Sequence, residues 1–243
     1  MSTYDQVVDM LNRHRDTKMD IKSLEKFFQA FPDGYGEGDK FIAVSVPNQR
    51  MIAKKYFAQS TLQEILKLLE SGIHEHRLTA LFMLVLKFQK AKRFEEKEAI
   101  VNLYLNNLDR VNGWDLVDSS AQHIVGPFLY EIKDYKILDE LALSGNLWKQ
   151  RVSIISTLFL IRKNQFEQTI HISEILLNHH HDLIHKAVGW MLREVGNRNI
   201  EVEMNFLDRN AAQMPRTMLR YAIEKFEPVA REKYLNISKE SKI

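Results

Sequence analysis

The chain has no cysteine, and glycine and proline are scarce, with 9 Gly and 5 Pro among 243 residues. The absence of cysteine excludes disulfides, thiolate metal sites and cysteine nucleophiles. The scarcity of turn-forming residues favours long helices joined by short connections. No apolar run is long enough to cross a bilayer, and the first residues lack a basic segment followed by an apolar one. We therefore expect an intracellular, cytoplasmic protein without a membrane partner.

Several motifs of catalysis and metal binding are also absent. The sequence has no glycine-rich phosphate loop, no dinucleotide fingerprint and no Gly-x-Ser-x-Gly nucleophile elbow. His179, His180 and His181 lie at a predicted turn, and no glutamate accompanies the His181 and His185 pair as in a zinc protease helix. We expect no metal, no nucleotide and no other cofactor.

The charge is nearly balanced, with a formal net charge of +2 at pH 7. The composition, 45% hydrophobic and 27% charged, is that of a soluble globular protein that can bury a substantial core. Because the mean charge would attract little nucleic acid, binding to DNA would need basic residues gathered on one face.

Apolar residues recur at helical spacing through most of the chain. After Ser60, which we expect to cap a helix, Leu62, Ile65, Leu66 and Leu69 form one stripe. Similar stripes run through residues 78–88, 98–105, 154–161, 172–177 and 183–192. Helices arriving in pairs at intervals of about 35 to 45 residues predict an all-α fold, an α-α superhelix of degenerate HEAT-like repeats with a concave face. No repeated consensus is visible, so an irregular helical bundle is the alternative.

One segment departs from this pattern. Residues 31–38 are rich in glycine and other turn formers, and Lys40 to Pro47 reads as an extended connector, with Pro47 opening the next helix. We expect a single domain over residues 1–243. Its parts are N-terminal helices in residues 1–30, the loop and connector in 31–47, repeats in 48–226 and a tail in 227–243.

The stretch from Trp114 to Ser119 carries the clearest chemical signal. Asn112 and Gly113 resemble a helix start, which places Trp114 in the first turn and Asp118 one turn later on the same face. An aromatic ring beside a carboxylate suits a cationic guest. The alternative is a core tryptophan with a carboxylate paired to a basic neighbour.

Three further stretches combine aromatic or apolar residues with cations. Trp148 reads as a core residue, whereas Arg151 is harder to explain by packing and would reach a phosphate or a carboxylate. Lys186, Trp190 and Arg193 share one stripe, with Gly189 suggesting a close helix crossing or a ligand approach. The last stretch is a helix opened by Pro215, with Arg216 and Arg220 one turn apart. These two arginines either bind a phosphate together or are ordinary solvated residues.

Taken together, Trp114 to Ser119, Asn146 to Arg151, Lys186 to Glu194 and Pro215 to Lys225 resemble the DNA alkylation repair family of HEAT-like-repeat DNA glycosylases. The resemblance covers about residues 20 to 226. It implies a helical solenoid that holds alkylated duplex DNA in its concave face and excises positively charged 3-alkyl or 7-alkyl purines. We also expect the protein to be a monomer.

The resemblance also implies roles for individual residues. Trp114 and Trp190 match tryptophans that contact the lesion, and Asp118 matches the catalytic aspartate. Phe27 stands where some members carry a tyrosine, so the aromatic wall is kept and the hydroxyl is lost. DNA-binding roles are expected for Arg151, Lys186, Arg193, Arg216 and Arg220.

Two other functions remain open at this stage. The same fold would serve a non-catalytic binder of DNA structures, or a HEAT-type scaffold whose concave face recognises a peptide. Salt-dependent DNA binding would distinguish the two DNA-binding functions from the protein scaffold. Base release would distinguish the enzyme from the non-catalytic binder.

Overall fold

The computed structural model describes residues 1–240, and within them the secondary structure is helical without a β-strand. The all-α prediction is confirmed. The helices in chain order are α1 Thr3–Arg13, α2 Ile21–Phe27, α3 Val46–Tyr56, α4 Leu62–Leu69, α5 His74–Lys90, α6 Phe94–Asn106, α7 Trp114–Asp118, α8 Ala121–Ile132, α9 Lys136–Ala142, α10 Leu147–Arg162, α11 Glu167–Ile175, α12 Asp182–Gly196, α13 Ile200–Asn210, α14 Arg216–Ala222 and α15 Pro228–Glu240. Single 3₁₀ turns occur at Leu108–Arg110 and Ile223–Lys225. None of the described helices is long and apolar enough to cross a membrane.

The chain forms two compact units, Met1–Ile124 and Val125–Ile243. A single functional domain over residues 1–243 stays a prediction. In the first unit, α5 is the central helix and packs against α3, α4, α6 and α7. It is buried along most of its length, so its residues are apolar on nearly every side. Its first turn is different, because His74, Glu75, His76 and Arg77 are all buried and polar.

In the second unit, helices pack in two rows, as expected for paired helical repeats. Helices α10, α12 and α14 contact one another in series, and α9 contacts α11. Within the pairs, α9 packs on α10 and α11 on α12. Gly189 of α12 lies where α14 crosses, since a Cβ there would stand 2.4 Å from the Met218 carbonyl oxygen and 2.5 Å from Tyr221 Cβ. Of the two explanations suggested by the sequence, the close helix crossing is the one observed.

The helix ends lie close to the positions that the sequence predicts, with small corrections. Helix α4 is capped by Thr61 rather than by Ser60, and Thr61 forms a capping box with Glu64. Helix α3 begins at Val46, which places Pro47 within its first turn. Pro215 is the residue immediately before α14.

The tail predicted from residue 227 onward is a helix over Pro228–Glu240, and residues 241–243 lie outside the described part of the chain. Tyr234 of this helix is fully buried, and its hydroxyl donates to Asp208 Oδ1 at 2.8 Å. The apolar positions of α15 are too few for a strong stripe, which is why the sequence alone did not reveal the packing.

The connector after the turn-rich loop is extended and has no partner strand. It makes two isolated bridges, Arg15 with Val44 and Lys40 with Ile73. Two of its amides are satisfied by a side chain, since the Glu75 carboxylate accepts hydrogen bonds from the Ile42 and Val44 N–H groups. A buried carboxylate therefore replaces the neighbouring strand that the connector lacks.

Candidate active site

The short helix α7 carries the two residues that the sequence singled out most strongly. It begins at Trp114, directly after the extended Gly113, and ends at Asp118. Leu116 and Val117 are fully buried, whereas Trp114 and Asp118 are partly exposed on the opposite face. The predicted helix start is confirmed, and the ring and the carboxylate lie one turn apart on a face that solvent reaches.

Trp114 belongs to a cluster of four aromatic rings. Phe28 is stacked on Trp114, with ring centroids 5.8 Å apart and planes inclined by 16°. Phe27 meets Trp114 edge-on at 5.9 Å, and on the other side Phe28 stacks on Phe41 at 5.2 Å. Phe27 is 62% exposed, so it extends the Trp114 surface into solvent. The structure thus brings Phe27 and Trp114 together, as one continuous aromatic surface.

The turn-rich loop packs against the end of α2, where Phe27 is the last helical residue and Phe28 follows it. A Cβ on Gly34 would stand 2.0 Å from the Gln29 carbonyl oxygen, and one on Gly36 would stand 2.3 Å from the Phe28 carbonyl oxygen. The Tyr35 hydroxyl donates to the Phe27 carbonyl at 3.1 Å. Only glycine permits this approach of backbone to backbone, so the loop supports the aromatic surface from behind.

A buried network of charges lies beneath this surface. His74 donates from Nδ1 to Asp39 Oδ2 and from Nε2 to Asp115 Oδ2, both at 2.8 Å. Arg77 donates to the other oxygen of Asp39 at 2.6 Å, and Asn112 donates to the same oxygen at 3.3 Å. The network therefore connects the first turn of α5, the end of the loop and the first turn of α7.

The network favours a charged imidazole. Burial disfavours the cation, but hydrogen bonds and charge from Asp115 and Asp39 outweigh it and raise the pKa of His74 to about 9. Burial opposes ionisation of Asp39 too, yet His74 and Arg77 hold the pKa of that carboxyl below its ordinary value. The Phe28 and Phe41 rings lie against the imidazole at 4.7 and 5.1 Å, where ring faces favour a cation.

The other end of α7 is held by neutral groups. Gln122 Nε2 donates to the Asp118 carbonyl oxygen at 2.8 Å, and Ser120 Oγ donates to the Leu116 carbonyl oxygen at 2.6 Å. Ser120 also shares a hydrogen bond of 2.9 Å with the buried Tyr104 hydroxyl. Burial and, to a smaller extent, the negative charge of Asp118 raise the pKa of Tyr104 above its ordinary value. The phenol therefore stays neutral.

In the second unit, α12 carries three of the predicted residues on one partly exposed face. Trp190 Nε1 donates to Glu194 Oε1 at 3.1 Å. Lys186 forms an ion pair of 2.7 Å with Asp182, and Arg193 pairs with Glu224. These ion pairs are partly exposed and would contribute little to stability, so phosphates could replace the carboxylates at small cost.

The remaining predicted arginines differ in their surroundings. Arg151 is only 5% exposed and donates from Nη1 to the Leu183 carbonyl, which is the packing role that the sequence did not suggest. A DNA contact by Arg151 stays a prediction. Arg216 donates to the Leu235 carbonyl at 2.8 Å, and Arg220 is exposed. Trp148, interpreted as core, is buried.

Of the three consecutive histidines, His179 and His181 form hydrogen bonds with the backbone, and His179 also contacts a neighbouring side chain. His181 caps α12 by accepting from the Leu183 N–H, and His179 accepts from the His181 N–H. His179 Nε2 also lies 3.0 Å from Gln150 Oε1, and His185 donates to the His179 carbonyl. Among the described residues, no group of three or more histidine, aspartate or glutamate side chains is placed to hold a metal ion.

Sequence reasoning missed the network around His74. The sequence does contain a signal for this network, because α5 begins with four polar residues and is strongly apolar after them. A charged residue that is buried in such a helix requires a partner. The partners Asp39 and Asp115 are 35 and 41 positions away from His74, and no local spacing connects them.

The sequence of the chain matches a known protein family. Residues 8–226 match the family model of the DNA alkylation repair enzyme. No curated protein sequence matches the chain. A solved structure described as a predicted DNA alkylation repair enzyme from Enterococcus faecalis is 14% identical and has a TM-score of 0.67, covering 86% of this chain and 95% of the other. That likeness shows the fold, whereas the family match supports a role in DNA repair with DNA as the substrate. Because the match spans most of its length, the chain belongs to the DNA alkylation repair enzyme family.

Proposed function

We propose that this protein is a DNA glycosylase of base excision repair, which hydrolyses the glycosidic bond of positively charged 3-alkyl and 7-alkyl purines in duplex DNA. The observation that carries the proposal is the placement of Asp118 one turn after Trp114, on the exposed face of α7. The Trp114 ring contacts the rings of Phe27 and Phe28 and forms one aromatic surface with them. An anion beside an open aromatic surface suits a substrate that is cationic and flat.

Asp118 is the proposed catalytic residue. When the bond from C1′ to the purine nitrogen breaks, its electron pair stays with the purine and neutralises the alkylated ring. Positive charge then develops on the deoxyribose, and a carboxylate at hydrogen-bonding distance stabilises it and orients the water that adds to C1′. The proton that this water loses passes to solvent.

The aromatic side chains are the proposed lesion contacts. Trp114 and Phe27 present ring faces and edges to solvent in the first unit, and a cationic nucleotide gains a few tenths to about 2 kcal/mol from such a face. Trp190 is assigned the same kind of contact from the second unit. Lys186, Arg193, Arg216 and Arg220 would bind phosphates, with Arg151 as a further candidate, so affinity should fall steeply with salt.

The test is base release from methylated duplex DNA under single-turnover conditions. We expect the wild-type protein to release 7-methylguanine and Asp118→Asn to lose this activity by at least about a hundredfold, with DNA affinity changed by less than about threefold. Asp109→Asn is the matched control, because Asp109 is an exposed aspartate of the same unit outside the proposed site. Its rate should equal that of the wild-type protein.

The outcomes separate the candidate functions. Salt-dependent DNA binding without base release by the wild-type protein would replace the enzyme by the non-catalytic DNA binder. Absence of DNA binding would favour the protein scaffold. Full activity in Asp118→Asn would overturn the catalytic assignment alone.

A further inference from the structure

Helix α7 is too short to hold its own position. It has five residues, and isolated helices of this length are unstable in water. Its start also lacks a side-chain cap, because Gly113 occupies the capping position. The placement of Trp114 and Asp118 must therefore come from contacts that α7 makes with the rest of the first unit.

Besides the hydrogen bonds from Ser120 and Gln122 at the end of the helix, two groups of contacts hold α7. Leu116 and Val117 anchor it by apolar burial, which restrains its distance from the core but is tolerant of sliding and rotation. Asp115 adds a directional contact, since its Oδ2 accepts a hydrogen bond of 2.8 Å from His74 Nε2. Such a bond between charged partners is strong and depends on angle as well as on distance.

His74 is suited to act as a fixed point. It lies in the first turn of the central helix α5, is 3% exposed, and its second nitrogen is bound to Asp39. Asp39 is itself held by Arg77, so the imidazole cannot rotate without breaking a chain of buried ionic hydrogen bonds. The ring also contacts Phe28, which stacks on Trp114.

We propose that His74 is a positioning residue of the candidate active site: it binds Asp115, packs against Phe28, and thereby sets where α7 presents Trp114 and Asp118. The catalytic consequence rests on the proposed glycosylase function, whereas the positioning itself does not. Asp115 has the matching role, as the carboxylate of α7 that receives this contact and not as a second catalytic group.

Three variants and one control test the proposal. His74→Gln and Asp115→Asn each remove the ionic contact, and the double variant removes both partners. His76→Gln is the control, because His76 is also a buried histidine of α5, two positions after His74. Its ring forms a hydrogen bond of 3.0 Å with Ser71, which is not part of α7. All four proteins are compared at temperatures at which thermal unfolding shows them to be folded.

The first measurement does not depend on catalysis. The protein is labelled with 5-fluorotryptophan, and ¹⁹F NMR gives one resonance for each of its 3 tryptophans, with the Trp114 signal assigned by Trp114→Phe. We expect His74→Gln and Asp115→Asn to shift or broaden the Trp114 resonance and to leave those of Trp148 and Trp190 unchanged. His76→Gln should change none. An unaltered Trp114 resonance in His74→Gln overturns the proposal.

The second measurement is the single-turnover rate of base release at saturating protein. We expect about a tenfold loss in His74→Gln and in Asp115→Asn, with DNA affinity within about twofold of wild type, because misplacing a catalytic group costs rate more than binding. The double variant should also lose about tenfold instead of a hundredfold, since both changes remove one contact. Multiplying effects, or an equal loss in His76→Gln, would refute positioning through Asp115. If the wild-type protein releases no base, the proposed function fails, and the ¹⁹F measurement still decides the positioning.

Discussion

Phe28 lies parallel to Trp114, with their ring centroids 5.8 Å apart, and it also contacts Phe27, Phe41 and His74. One phenylalanine thus joins the exposed aromatic surface to the buried ionic network. The neighbouring Phe27 lies at the outer edge of the surface and is largely exposed. We therefore expect the two adjacent phenylalanines to have different tasks. Phe27 is the proposed contact to the substrate, and Phe28 supports the fold.

Alanine substitution should separate these tasks. Phe28→Ala should lower the free energy of unfolding by about 2 to 3 kcal/mol, because it removes contacts with several rings. Phe27→Ala should change it by less than about 1 kcal/mol, since the side chain buries little area, yet slow base release several-fold. Urea unfolding and single-turnover rates measure the two effects. Equal losses of stability in both variants would contradict the division.

The charge of His74 should make stability depend on pH. The pKa is about 9 in the folded protein and about 6.5 in the unfolded chain, so the folded state binds the extra proton between these values. The stabilisation is complete below pH 6.5 and is lost as the pH rises through 9. We expect the free energy of unfolding of the wild-type protein to fall by about 2 to 3 kcal/mol between these two pH values.

The control for this effect is the same titration of unfolding free energy in His74→Gln. Glu203 is buried, and burial raises its pKa to about 8. Deprotonation of Glu203 therefore also lowers the free energy of unfolding as the pH rises toward 8, and it does so in both proteins. Only the difference between the two curves therefore reports His74. Parallel curves between pH 6.5 and 9 would mean that His74 is not charged in the folded state.

The sequence predicted what depends on local spacing. The start of α7 followed from Gly113, and the shared face of Trp114 and Asp118 followed from helical periodicity. Gly189 suggested either a ligand approach or a close helix crossing, and the crossing is observed. These features are set by residues within a few positions of one another. The all-α class followed in the same way, from repeated stripes and scarce turn formers.

What the sequence did not reveal depends on contacts between distant segments. Arg151 is buried and donates to the Leu183 carbonyl, 32 positions away. In sequence, a guanidinium after an apolar anchor looks the same whether it faces a phosphate or a carbonyl. The packing of the tail is similar, because the buried Tyr234 contacts Asp208 and Phe226, which lie 26 and 8 positions earlier in the chain, and no apolar stripe in α15 signals these contacts.

Gly189 should not tolerate a side chain. A methyl group there would meet the Met218 carbonyl and Tyr221 Cβ at less than van der Waals distance, so α12 and α14 would have to separate. We expect Gly189→Ala to lower the free energy of unfolding by about 1 to 3 kcal/mol, despite the higher helix propensity of alanine. Gly72→Ala is the control, since nothing lies within 4 Å of its Cβ position, and it should be neutral or slightly stabilising.

The arginines of α14 should differ in how they affect DNA binding and stability. Arg220 is exposed, so Arg220→Ala should leave stability unchanged and weaken binding equally to all sequences. If Arg220 neutralises one phosphate, the slope of log affinity against log salt should become shallower by about 0.9. Arg216 also donates to the Leu235 carbonyl, so Arg216→Ala should lower both binding and thermal stability. Arg198 supplies the matched control, because it is an exposed arginine of the same unit to which we assign no DNA contact. A change in slope for Arg198→Ala as large as that for Arg220→Ala would show that overall charge, and not a located phosphate contact, governs the affinity.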